Sequence, residues 1–565
     1  MRQISLFYSK TTRFRIAWGI ILVLALVYVI FLLARHSKEL EGGISVSLSF
    51  LSLLKYSLYS VSRMGIAYFF SLIFSLIYGY IAAYNKKAEA ILIPLLDVLQ
   101  SVPILSFLPV TLLAFTAFLP QKIAVELASV VLIFTSQVWN LTFAWYQSLI
   151  TIPKELQEAS RIFRFNWVLR LKNLELPFGA INLIWNSMMS WAGGWFFLMA
   201  AEMFTVGNKD FRLPGLGSYL QVAANRKDFH AIFMGIVALV LIIVILDQLV
   251  WRPLLCWASK FKMDHLEAQP TESSWFYEFL KERRFFQRLD KWWEEVSEKI
   301  DMWSLKRWKF EDKPHGKAST WIGRIFFCVF AIFVGYEAVH AIEVMLLLPA
   351  GDWKQVFFSL VLTTLRVFLA LFLSFLWTVP VGVFIGKNEK AASVLQPIVQ
   401  IVASIPATAF FPVLLLLFLH LPGGLNVASI LLMMAGTQWY ILFNVIAGAT
   451  SIPKDLEYTA ELLHLSTFEK WKTLILPAIF PYLVTGGIAA AGGAWNASIV
   501  AEYIKFGDQI LKVKGLGELI SQSTADGNYV LLLTSTVVMI LAVVFINKVL
   551  WKRLYNLARE KYSLE

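Results

Sequence analysis

The sequence predicts an all-α polytopic membrane protein of two tandem, parallel six-helix repeats, about twelve spanning helices, joined by a cytoplasmic amphipathic linker. Three observations predict it. The 565-residue chain is 58% hydrophobic and 16% charged, with a mean hydropathy of +0.65, which is more apolar surface than globular cores can hide. Its apolar residues gather in runs of about 20, the length that crosses a bilayer as a helix. Its second half also repeats its first. The net charge of +12 lies between the apolar runs, where membrane proteins keep cytoplasmic Lys and Arg, so nucleic-acid binding is set aside. Cys256 and Cys328 each lie near the end of an apolar run and indicate neither a disulfide framework nor a cysteine metal site.

The first run, residues 16–33, follows Arg2, Lys10, Arg13 and Arg15. No small-residue cleavage site follows it, and Arg35, His36 and Lys38 come directly behind, so it reads as an anchor rather than a signal peptide. Further spans are predicted near 58–84, 95–119, 123–149, 178–204 and 230–256, completing a first repeat over 1–258. Residues 259–319 carry both charge signs. Within them Phe286, Leu289, Trp293, Val296, Ile300 and Trp303 recur at three- and four-residue steps, the mark of an amphipathic helix lying along the membrane surface. A second repeat, 320–565, holds spans near 321–347, 356–386, 394–420, 425–449, 478–504 and 529–551.

The repeat aligns almost without gaps. At an offset of 300, Ile152-Pro153-Lys154 matches Ile452-Pro453-Lys454, Trp195 matches Trp495, Ala201-Glu202 matches Ala501-Glu502, and Gly215-Leu216-Gly217 matches Gly515-Leu516-Gly517. Upstream the offset is 303, pairing Arg63 with Arg366, Pro103 with Pro406 and Pro109 with Pro412. An even span count in each half makes the repeats parallel, related by an axis along the membrane normal with a pathway at their interface. Basic residues at the N-terminus, at Lys86 and Lys87, from Lys154 to Lys172, in the linker and at Lys552, Arg553, Arg559 and Lys561 fall on one side, which is therefore cytoplasmic, termini included.

Between the fourth and fifth spans of each half runs a charged loop, Ile152 to Pro177 and Ile452 to Pro477. Its Ile-Pro, its acidic and small-residue turn and the Leu-Pro some twenty residues later resemble the coupling loop of binding-protein-dependent permeases of ATP-binding-cassette importers, nearest the nitrate, taurine and alkanesulfonate branch. The resemblance covers nearly the whole chain twice. It rests on Glu158-Ala159-Ser160, Pro103, Pro109, Trp195, Glu202 and Gly215-Leu216-Gly217, and on Tyr458-Thr459-Ala460, Pro406, Pro412, Trp495, Glu502 and Gly515-Leu516-Gly517. The family's glycine six residues after the acidic position is replaced by Arg164 and His464.

The resemblance implies a fused, duplicated permease in the bacterial inner membrane. It implies coupling helices that seat in two copies of a cytoplasmic ATP-binding subunit, through Glu155, Glu158, Ala159, Ser160 and Arg164 in one loop and Asp455, Tyr458, Thr459, Ala460 and His464 in the other. It also implies a periplasmic or extracellular solute-binding protein and a small, anionic cargo such as nitrate, a sulfonate, taurine or bicarbonate. The chain has no phosphate loop of its own, since neither Gly316-Lys317-Ala318 nor Gly386-Lys387-Asn388 has the required spacing, so ATP hydrolysis belongs to another polypeptide. No catalytic motif, cofactor site or metal site is read from the sequence.

Candidate pathway residues follow from position and polarity. Pro103 and Pro406 break backbone hydrogen bonding at matched depths. Trp495, Ser498 and Glu502 share one helical face, as do Trp195 and Glu202, and Asn496 is costly against lipid. Glu202 and Glu502 near the outer helix ends suit an ion pair or gate hydrogen bond. Arg63 and Arg366 either snorkel or draw an anion to the outer mouth. The rivals are a secondary carrier of duplicated six-plus-six fold, which gives no reason for two matched charged loops, and a channel, which would need a ring of pore charges.

Overall fold

The computed structural model describes residues 46–101, 103–206, 209–210, 212–261, 275–282, 295–299, 301–306, 335–418, 420–506 and 509–561, with isolated positions 21, 24, 25, 28 and 332. The anchor expected at 16–33 falls largely outside the described residues, as do Phe286, Leu289, Trp293 and Ile300 of the linker stripe and most of the first half of the span expected at 321–347.

In the first repeat the described helices are α1 Phe50–Tyr84, α2 Lys86–Ser101, α3 Leu108–Phe118, α4 Gln121–Ile150, α5 Lys154–Ile162, α6 Trp167–Arg170, α7 Leu176–Glu202, α8 Leu216–Asn225, α9 Phe229–Leu246 and α10 Arg252–Ala258. In the linker lies α11 Trp275–Glu282. The second repeat holds α12 Ala350–Lys387, α13 Glu389–Ser404, α14 Ala407–Phe418, α15 Gly424–Thr450, α16 Lys454–Leu462, α17 Thr467–Lys470, α18 Leu476–Glu502, α19 Leu516–Ala525, α20 Tyr529–Ile546 and α21 Lys552–Lys561. Among the described residues seven helices are long and apolar enough to cross a membrane: Phe50–Tyr84, Gln121–Ile150, Phe229–Ala258, Ala350–Lys387, Gly424–Thr450, Thr467–Glu502 and Tyr529–Ala558.

Two expected spans are not continuous. Where 95–119 and 394–420 were each read as one helix, the chain breaks after Ser101, with a 3₁₀ turn at Ile104–Phe107, and again between Ser404 and Ala407. Proline is the cause. Pro406 has no N–H to continue the ladder, and its ring holds Ile405 in an extended conformation, ψ 119°. The fold also adds two small antiparallel hairpins to an otherwise helical chain, β1 Thr205–Val206 with β2 Lys209–Asp210, and β3 Tyr503–Phe506 with β4 Gln509–Lys512. Each follows directly on a long helix that ends at a buried glutamate. Four single π turns recur at matched places, Leu171–Glu175 and Trp471–Ile475 before α7 and α18, Asp247–Trp251 and Asn547–Trp551 after α9 and α20.

Within each half three long helices pack together, α1, α4 and α7 in one and α12, α15 and α18 in the other. The halves then exchange their broken helices. The pieces α13 and α14 lie against α7, α8 and α9, while α2, the 3₁₀ turn and α3 touch α20, α18 and α19. Leu105 is thereby buried in the core of the second half, and Ala409 in that of the first.

Candidate functional site

Two short helices project from repeat-related positions. Pro153 and Pro453 cap α5 and α16, and both helices end in the same paired hydrogen bonds. In the first, the Arg164 N–H donates to the Arg161 carbonyl at 2.9 Å and the Phe165 N–H to the Ser160 carbonyl at 2.9 Å. In the second, His464 donates to Glu461 at 2.9 Å and Leu465 to Ala460 at 3.1 Å. This cap requires a left-handed residue, the role glycine fills without strain. Arg164 (φ 50°) and His464 (φ 51°) hold that conformation. The glycine missing from the motif is thus missing in sequence only; its backbone geometry is kept.

Of the residues expected to couple, Glu155, Glu158, Arg164, Asp455, Tyr458, Thr459 and His464 are exposed, Ala159 is half-buried, and Ser160 and Ala460 turn inward. Sequence reasoning missed the apolar knobs beside the cap. Ile162 and Phe163 are 78% and 71% exposed, and Leu462 and Leu463 80% and 66%. Their signal was available, because apolar pairs match at offset 300 on a loop outside any span.

The two loops are supported differently. Lys172 binds Asp301 at 2.7 Å and the Ser297 carbonyl at 3.1 Å, and the Asn166 amide donates to the buried Ser304 hydroxyl at 3.2 Å, so the described linker residues 295–299 and 301–306 brace the first loop. Buried Glu175 accepts from the Tyr84 hydroxyl at 2.6 Å and pairs with Arg170 at 2.8 Å. Burial pushes its carboxyl above the usual range, against the pull of those two partners. Position 475 is Ile, and the second loop is tied instead by Lys387 to Glu457 at 3.1 Å.

The conserved geometry of the halves lies at the end of α7 and α18. Glu202 accepts from the Ser60 hydroxyl at 2.7 Å, from Arg63 at 2.9 Å and from the Gly217 N–H at 2.8 Å. The Ser60 hydroxyl in turn accepts from the Leu216 N–H at 3.0 Å. Glu502 is held alike by Thr363 at 2.8 Å, Arg366 at 2.7 Å and the Gly517 N–H at 2.8 Å. Each carboxylate therefore sits on the N-terminus of a short helix, where amide dipoles favour negative charge. Glycine at 215 and 515 is required by this approach, because a β-carbon there would overlap the carboxyl group. Arg63 also binds Glu126 at 2.6 Å, whereas Arg366 binds neutral Asn426 at 2.9 Å. Both guanidiniums are buried and engaged in these clamps, so neither side chain extends outward to snorkel. Ser60 and Thr363 were not singled out from the sequence, although they match at offset 303 three residues before each arginine.

Between the halves lies a cavity of about 310 Å³, walled by α7 on one side and by α13, α14, α15 and α18 on the other. Pro406 and Asn496 line it. Trp195, Trp495 and Ser498 do not; they are packed into the cores. Pro103 is buried at the matching break. Among the described residues no cluster of His, Cys, Asp and Glu could hold a metal ion.

The family model for the binding-protein-dependent transport system inner membrane component matches this chain twice, at residues 71–250 and 378–555. Relatives include the nitrate import permease protein NrtB of Synechococcus elongatus, 27% identical over 155 residues, 27% of this chain and 54% of that protein. The bicarbonate transport system permease protein CmpB of the same organism is 29% identical over 154 residues, 27% of this chain and 54% of its own length. The taurine transport system permease protein TauC of Escherichia coli is 27% identical over 176 residues, 31% of this chain and 59% of its own. The chain thus spans little more than half the length of the relatives it matches. Two matches, set head to tail over more than half of the sequence, place the chain in the family of binding-protein-dependent transport system inner membrane components, as a fused pair.

Proposed function

We propose that the chain is the membrane permease of an ATP-driven importer, with both permease halves on one polypeptide: repeats over 1–258 and 320–565, twelve spans, and a cytoplasmic linker at 259–319. Both termini lie in the cytoplasm of this reading. Two copies of a separate ATP-binding subunit grip α5 and α16, and a solute-binding protein delivers a small solute to the opposite face. The names of the relatives put nitrate, bicarbonate and taurine, anions and a sulfonate, among the cargoes to try. The observation that carries the reading is the pair of short helices with identical caps and bare apolar tips. Apolar knobs that stand in water at matched sites of both halves are unfavourable unless something covers them.

The pathway residues are read with the same division. Asn496 and Pro406 contact cargo, Trp195, Trp495 and Ser498 set the position of the lining helices, and the clamps at Arg63, Glu202, Arg366 and Glu502 fix the outer helix ends. The test is to purify the full chain with its candidate ATPase and binding protein and measure nucleotide-dependent uptake in vesicles. Uptake driven by an ion gradient with no ATPase bound would overturn the importer reading in favour of a secondary carrier.

A further inference from the structure

We infer that the cavity between the halves takes an uncharged solute with a flat aromatic or heteroaromatic ring, a cargo class other than the anions named for the relatives; this rests on the permease reading above. Rings and thioethers stand out among its walls, with small apolar residues between them and Gln396 and Asn496 as the polar side chains. Trp185, Phe196 and Phe197 face it from the first half, and Trp439, Tyr440 and Phe443 from the second. Met188 and Met189 add polarisable sulfur, which packs well on ring edges. Among the described lining residues there is no Asp, Glu, Lys, Arg or His.

The side-chain amide of Asn496 is already occupied, donating to the Gly492 carbonyl at 3.0 Å and accepting from the Leu105 N–H at 3.3 Å. A bare anion entering here would lose its hydration with no cation in return, because Arg63 and Arg366 are held in their carboxylate clamps. Ring faces and edges, in contrast, match one another in offset or T-shaped contacts. A volume of about 310 Å³ is roughly twice that of an apolar cavity that takes up benzene, room for one ring or two fused ones.

The repeats differ at several of the wall positions. Where the first half has Thr135, Ser136 and Asn140, the second has Ala435, Gly436 and Tyr440 on the cavity. Where the second half has Thr485, Ile488 and Ala489, the first has Trp185, Met188 and Met189 on the cavity. At these sites hydroxyl and amide groups give way on the cavity to Ala435, Gly436 and Tyr440, and Thr485, Ile488 and Ala489 give way to one indole and two thioethers, while Trp439 and Phe443 match Trp139 and Phe143. Aromatic faces also attract quaternary ammonium ions. The lining offers such an ion no counter-charge, so the uncharged ring is the better match.

Equilibrium dialysis of the purified full chain in nanodiscs tests this with nicotinamide and indole as ring probes, and with nitrate, taurine and choline beside them. Saturable retention of a ring probe, one per chain, is expected, with nitrate, taurine and choline passing through. Gly436→Leu should weaken that retention at least tenfold, since a β-carbon at 436 meets nothing nearer than Ala407 at 3.9 Å and the side chain grows into the cavity. Gly65→Leu, on a helix away from the cavity with open space around its β-carbon, should leave retention unchanged. Saturable nitrate or taurine retention, tighter choline retention, no ring retention, or ring retention equal in Gly436→Leu would each overturn the inference. ATPase co-purification, scored on the same preparation, reports on the importer reading alone: a chain that binds its ATPase and no ring sinks the cargo class and leaves the permease standing.

Discussion

At the scale of single residues, the two caps and the two clamps follow opposite logic. Arg164 and His464 occupy a left-handed conformation that costs a side-chain-bearing residue about 1–2 kcal/mol. Arg164→Gly and His464→Gly should each raise stability by about 1 kcal/mol, read as a higher melting temperature of the full chain in detergent; a lower one would mean the side chains make bonds worth more than the strain. The clamps are stabilised by pairing in a buried site. Glu202→Ala removes the fully buried partner of Arg63 and the acceptor of the Gly217 N–H, leaves the guanidinium paired with Glu126 alone, and should cost about 3 kcal/mol. Glu126, whose side chain is 45% exposed, should cost about 1 kcal/mol or less when removed. If Glu126→Ala proves as damaging as Glu202→Ala, the buried carboxylate is not the anchor. Glu202 and Arg63 were legible from the sequence as charges that a membrane disfavours. Ser60 and Thr363 were not, because a hydroxyl in an apolar helix can always bond to its own backbone, and only the fold shows that these two bridge to a second helix instead.

At the scale of elements, apolar runs revealed where the long helices lie, and proline revealed where two of them stop. Hydropathy averages over a window, so the breaks at Pro103 and Pro406 vanish into continuous spans unless the backbone chemistry of each proline is followed through. The break at 405–406 has consequences for the pathway, since Ile405, Pro406 and Ala407 all reach the cavity. Pro406→Ala restores an N–H and frees Ile405 to turn helical, so α13 and α14 should merge and displace the wall. Uptake should then be lost at normal membrane expression; unchanged transport would show that the break is incidental. The apolar tips of α5 and α16 were hidden for a different reason. The family motif drew attention to Glu158-Ala159-Ser160, whereas burial shows Ser160 seated inward and Phe163 and Leu463 outward.

At the scale of the molecule, the internal repeat made the duplicated architecture legible, while the exchange of broken helices between halves, a matter of contacts far apart in sequence, was not. The assigned sides can be tested with thiol labels at exposed positions. In a chain with Cys256 and Cys328 replaced by serine, a cysteine at exposed Met302 should resist membrane-impermeant thiol reagents in intact cells, and one at exposed Arg226 should react; equal labelling would reverse the assigned sides. The two proposed coupling loops are also braced differently. The linker and the Glu175 cluster brace the first loop, and among the described residues the Lys387–Glu457 ion pair ties the second. Closure of two ATPase subunits moves the halves only if both are held, so loss of either grip should uncouple hydrolysis instead of halving uptake. Phe163→Asp and Leu463→Asp alter exposed positions, leaving the chain folded, yet each would bury an unpaired charge in a docking groove at a cost of several kcal/mol. Each should therefore nearly abolish uptake, with ATPase co-purification weakened more by Leu463→Asp, whose loop has the lighter bracing. Normal uptake with Leu463→Asp would mean that one grip suffices, and that the second repeat serves the pathway without transmitting force.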